Sequence, residues 1–155
     1  MNVEIVDRLI EKDPSLESSR SALEAMKEGA SCIHRAWGVG KITGFEADRG
    51  MIIVDFEDGE RKSHAMDPVF CLDKLEVLDD DHIISRHRAN PEEIDAKVKK
   101  EPVELFIEIL AKFEDGCAST RELERTINLL LGSAKGKKWW TATKKLLIKD
   151  PRVAV

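Results

Sequence analysis

Tyrosine is absent from this chain, and aromatic residues make up only 5% of its 155 positions. A cage for methylated lysine needs several converging rings, and the middle of the chain offers only Trp37, Phe45, Phe56 and Phe70. No apolar run approaches the ~20 residues of a membrane span. The opening residues, "MNVEIVDRLIEKD", mix acids among the apolar positions, unlike a secretory leader. Cysteine is scarce as well: Cys32, Cys71 and Cys117 are an odd number without a CxxC pair, a pattern of reduced thiols that points to a cytoplasmic setting. A G-x-S-x-G elbow is missing, and nothing arranges Ser, His and Asp for nucleophilic work. These absences exclude most enzyme classes, and no catalysis, cofactor or small-molecule substrate is expected.

What is present is charge, unevenly placed. The net charge is −5, yet residues 1–131 hold 18 Lys+Arg against 29 Asp+Glu, and residues 132–155 hold seven against one. Most of the chain should repel a nucleic-acid backbone, and only the last two dozen residues could attract one.

The hydrophobic period changes twice. Val3, Val6, Leu9 and Ile10 are at helical spacing, and after Asp13-Pro14 a second helix is expected through "SLESSRSALEAMKEG", stopped by Gly29. From Ala30 the period is two. "ASCIHRAW", "VGKITGFEA", "GMIIVDFED", "GERKSHAM" and "LDKLEVL" read as five short strands, with Ile52, Val54 and Phe56 on one face and a turn at "EDGE", 57–60. Helical spacing returns after "DDD". Asn90-Pro91 starts one helix, Leu105, Phe106, Ile109 and Phe113 align in another, Ser119 and Glu122 form a capping box, and Gly132 and Pro151 bound the last two. The fold class is therefore α+β. An N-terminal helical hairpin (1–28) and a C-terminal helical domain or bundle (79–155) flank a small five-stranded SH3/Tudor-like barrel (29–78).

The stretch "GVGKITG" invites a phosphate-loop reading. A P-loop would need glycine where Arg35 stands and a hydroxyl where Ile42 stands, and a dinucleotide fingerprint would need glycine at Thr43. The glycines are expected to serve a turn between strands. Cys32, His34, His64 and Cys71 lack the paired spacing of a zinc site, so a core thiol and a hydrogen-bonded strand histidine are expected instead.

Gly29, His34, Trp37, Gly38, Val39 and Gly40, followed by "VDF" (54–56) and Leu72, Leu75, Val77 and Leu78, resemble the Tudor-like RNA polymerase-interaction domains of CarD-type transcription regulators and of UvrD/PcrA-type helicases. "KKWWTATKKLLIKDPRVAV" (137–155) is similar to a segment in the N-terminal extension of long Gre-type transcript-cleavage factors. The acidic-tipped coiled coil of a complete Gre factor is not in this sequence, so an N-terminal fragment of a longer protein is expected and no cleavage-stimulating activity.

The resemblance implies a non-catalytic module of a bacterial transcription elongation factor. Its partner would be RNA polymerase, through the β subunit, at an exposed strand edge. The residues expected at that contact are Ile33, His34, Arg35, Trp37, Val39, Lys41 and Ile53. Trp37 either caps the end of the barrel or projects as an anchor, and both hold if one ring face is buried. The rival expectation is nucleic-acid binding by Lys137, Lys138, Trp140, Lys144 and Lys145, set against a plain core role for the Trp139-Trp140 face with a solvated lysine border.

Overall fold

A computed structural model describes residues 1–57 and 61–154. The chain divides into two compact units, Met1–Asp80 and Asp81–Val155.

In the first unit, α1 (Val3–Lys12) is capped by Asn2, whose side-chain oxygen accepts the Glu4 N–H at 2.8 Å. A 3-10 helix (Pro14–Ser19) and the short α2 (Arg20–Ala25) follow. The expected second helix is thus divided and ends at the Met26 cap. Gly29 lies beyond it, with a φ of +90° on the way into the sheet. The Met1 ammonium donates to the carbonyls of Leu23, Glu24 and Met26 at 3.1, 3.1 and 2.7 Å, fastening the start of the chain to the end of α2.

Five antiparallel strands follow: β1 (Ser31–His34), β2 (Gly38–Glu46), β3 (Met51–Phe56), β4 (His64–Met66) and β5 (Leu75–Val77). Their order is β4-β3-β2-β1-β5. The sheet is open: among the described residues no ladder joins β4 to β5, so the expected closed barrel is not what the hydrogen bonds form. The register of β2 against β3 shifts between Ile42 and Gly44, a bulge that bends the longest strand. The expected turn at 57–60 falls largely on residues 58–60, outside the described residues.

Ile52, Val54 and Phe56 are fully buried on one side of β3, while Ile53 and Asp55 alternate to the other. Their core extends to Val6, Leu16, Leu23 and Met26, so the N-terminal helices and the sheet share one apolar interior. Gly40 sits where a Cβ would come within 2.8 Å of the Phe56 ring. Its lack of a side chain serves close approach, whereas Gly38, with a φ of +76°, serves the turn.

One element was not expected. Residues 68–74 form α3 (Pro68–Lys74), because Pro68 opens a first turn and the Asp67 carboxylate accepts from the N–H groups of Val69 and Phe70. Leu72 is therefore helical, and the closing strand begins only at Leu75. Cys32 and Cys71 are buried; Cys117, in the second unit, is exposed.

The second unit is helical: α4 (Ile83–Ala89), α5 (Pro91–Lys100), α6 (Pro102–Leu110), α7 (Thr120–Leu131) and α8 (Ser133–Leu147). Asn90 caps α5, and the Ser119/Glu122 capping box opens α7. α6 stops at Leu110, leaving Phe113 outside it and half-buried. Ile94, Leu105, Ile109, Ile127 and Leu147 are the large side chains withdrawn from solvent. Glu108 on α6 joins Arg86 of α4 at 2.8 Å and Lys97 of α5 at 2.6 Å, tying three helices together.

Candidate functional site

β1 and β2 form a hairpin closed by the His34–Gly38 pair, with Arg35, Ala36 and Trp37 as its connection. The connection is organised by a side chain. The Nδ1 of His34 accepts from the backbone N–H groups of Ala36 at 3.0 Å and Trp37 at 3.2 Å. That arrangement fixes the neutral imidazole with its proton on Nε2. Burial disfavours the charged ring, and the positive groups of Lys74, Arg61 and His64 add to this, so the pKa lies below the ordinary histidine value.

The Trp37 indole stacks on His34 with centroids 4.0 Å apart and planes 9° apart. It meets Phe56 edge-on at 5.3 Å and His64 at 5.1 Å, and the Arg61 guanidinium stands 4.5 Å from its centroid. Trp37 thus packs on the core and is half-buried. The ring therefore covers Phe56 beside the hairpin connection. Arg61 was not foreseen. It precedes β4 and reaches Trp37 only through strand pairing, for which the local sequence has no signal.

The other hairpin positions separate. Arg35 and Lys41 are exposed, and Ile53 is half-buried. Ile33 and Val39 are buried, with 6% and 5% of their surface accessible. The register puts Ile33 opposite Val39 and Lys41 opposite Asp55, on the side of the sheet away from Phe56.

The second candidate region, α8, is divided by function. The Trp139 Nε1–H donates to the Val98 carbonyl at 3.0 Å, and Trp140 stacks on Phe106 at 5.6 Å. Both indoles hold the helix to its own unit. Thr143 and Leu147 are buried, but Ala142 and Leu146 face solvent, which narrows the broad apolar face expected from sequence. Lys137, Lys138, Lys144 and Lys145 are all exposed. Gly136 lets α7 approach, since a Cβ there would lie 2.6 Å from the Asn128 side-chain oxygen.

Among the described residues no group of three or more His, Cys, Asp or Glu side chains is arranged to hold a metal ion. No described helix is long and apolar enough to cross a membrane.

Residues 84–155 match the family model of the GRAD helix-turn-helix domain. A GreA-associated domains protein of Treponema pallidum (strain Nichols) is 26% identical over 121 residues, covering 77% of this chain and 18% of that protein. Two proteins named transcription elongation factor GreA are also similar. The one from Chlamydia pneumoniae is 26% identical over 130 residues, and the one from Chlamydia trachomatis is 29% identical over 131; each alignment covers 83% of this chain and 18% of the relative. The chain is thus similar to Gre-named proteins at low identity. It spans under a fifth of the length of these relatives, so their names describe proteins several times larger. No solved structure matches the chain significantly.

Proposed function

We propose that this chain is a non-catalytic module that docks a Gre-related transcription elongation factor onto bacterial RNA polymerase, in the cytoplasm. The observation that carries the reading is Trp37: a half-buried indole on a three-residue hairpin connection, immobilised by His34, Phe56 and Arg61. Tryptophan and arginine are enriched among the few residues that carry most of the binding energy of protein interfaces. Arg35 and Lys41 flank it as exposed cations. The strand order and the bent β2 support reading the sheet as a CarD-like, Tudor-like module. The edge strand β4 begins at His64, in contact with Trp37, so a strand of the polymerase β subunit added there would lie beside the indole. Ile53 lies on the adjoining strand, and His34 acts by holding the turn.

The test is retention of the chain on purified polymerase core. Trp37→Ala and Arg35→Glu, in variants with native circular dichroism, are expected to weaken retention at least tenfold. Full retention by both removes the hairpin from the interface.

A second reading, nucleic-acid binding by α8, is favoured by the exposed Lys137, Lys138, Lys144 and Lys145 and by the match to a helix-turn-helix family. Trp140 would contribute little to it, since its ring is engaged with Phe106. This reading requires an affinity that falls steeply with salt and is abolished by charge reversal of these lysines.

A further inference from the structure

The second unit contains a half-open groove of about 440 Å³, which shares Lys144 with the α8 lysines of the second reading. That volume lies within the roughly 300–1,000 Å³ range of ligand-binding clefts. Phe106, Leu123 and Leu147 line it and are buried, and Trp140, stacked on Phe106, lines it as well. Gly116–Ala118 and Arg152–Ala154 complete its walls.

These walls are firmly set. Asp115 and Gly116 take φ values of 55° and 63°, turning the chain sharply after α6, and the capping box at Ser119 fixes the start of α7. The Arg152 guanidinium is held by Asp150 and by Glu104, both at 2.8 Å.

Charge selects the occupant. Among the described residues, the charged side chains that line the groove are the cations Lys144 and Arg152, and no carboxylate lines it. Arg152 is already compensated. Lys144 is exposed and has no ion-pair partner among the described residues. The second unit as a whole holds 15 Lys+Arg against 12 Asp+Glu, whereas the first holds 10 against 18. An apolar trough with an unpaired lysine fits apolar side chains that carry a carboxylate beside them. A nucleic acid fits poorly, because the two rings of the lining, Phe106 and Trp140, are already stacked on each other.

We propose that this groove docks a short amphipathic, acidic segment of a partner protein. Its apolar side chains lie against Trp140 and Leu123, and a carboxylate pairs with Lys144.

The probe is a synthetic 12-residue peptide with Leu and Phe at helical spacing and Glu between them, titrated into the ¹⁵N-labelled full chain. A counterpart with Lys in place of each Glu serves as the control. The acidic peptide is expected to shift the Trp140 indole and the Cys117 and Ala118 amide signals, leaving those of Trp37 and His34 in place. Lys144→Glu should weaken it at least tenfold with no change in melting temperature. Cys117→Trp, at an exposed lining position, should block it. Absence of localised shifts, equal binding of the Lys peptide, or an affinity indifferent to Lys144→Glu would each overturn the proposal. Because the hairpin signals report separately, failure here is distinguishable from failure of polymerase docking.

Discussion

The imidazole of His34 lies parallel to the indole of Trp37 at 4.0 Å while its Nδ1 accepts the Trp37 backbone N–H at 3.2 Å. One residue thus orients both the ring and the main chain of its neighbour. Protonating Nδ1 would remove the acceptor for two N–H groups at once.

This makes the first unit acid-sensitive. A histidine whose folded pKa is depressed adds stability that is complete above the unfolded value of about 6.5 and is lost as pH falls from there through the lower folded value. Urea melts from pH 7.5 to 5 should show stability declining below about 6.5. His34→Gln should flatten that decline relative to the parent, and an unchanged slope would mean another group carries it.

Gly40 and Phe56 are coupled by contact. Gly40→Ala places a methyl 2.8 Å from the Phe56 ring, and overpacking of this kind costs about 1–3 kcal/mol. Phe56→Leu alone should cost a comparable amount by leaving a cavity. The double variant should lose less than the two single losses added together, measured by chemical denaturation.

Glu108 is the hub of the ion-pair set in the helical unit. Burial alone would raise its pKa, but hydrogen bonds from Lys97 and Arg86 prevail, and the carboxylate sits below its ordinary value. Stability from this group is present above about pH 4.3 and disappears as pH falls through the lower folded value. Because the side chain is about a third exposed, Glu108→Gln should cost no more than about 1 kcal/mol per lost pair. The pH dependence of unfolding below 5 should flatten with it.

Trp139 anchors α8 to α5 through one hydrogen bond. Trp139→Phe keeps most of the ring and removes the Nε1 donor, which should lower stability by about 0.5–1.5 kcal/mol. A native-like melting temperature in this variant would mean the Val98 carbonyl finds water instead.

Local chemistry made much of this fold readable in advance. The alternation of Ile52, Val54 and Phe56, the Asn90 cap and the Ser119–Glu122 box each act within a few residues, and each has its expected consequence. α3 escaped because its signal is only Asp67-Pro68, inside a run otherwise read as strand and loop. The open sheet escaped because strand spacing specifies pairing and not closure. At the site, Trp37 could be singled out from its place beside a glycine turn, but Arg61 meets it only after β3 and β4 have paired. The burial of Ile33 on a strand hidden along its whole length is a tertiary fact that alternation cannot carry. On α8 the two tryptophans were visible, and their partners Val98 and Phe106, on other helices, were not.

The three thiols give the molecule a built-in reporter. Cys71 is pushed up to about 12 by burial and the nearby Asp67 charge, and Cys32 is equally withdrawn from solvent, whereas Cys117 is open. A maleimide dye should therefore attach at a single place in the native state. Any slower second and third additions would time how often the first unit opens, with no engineered probe required.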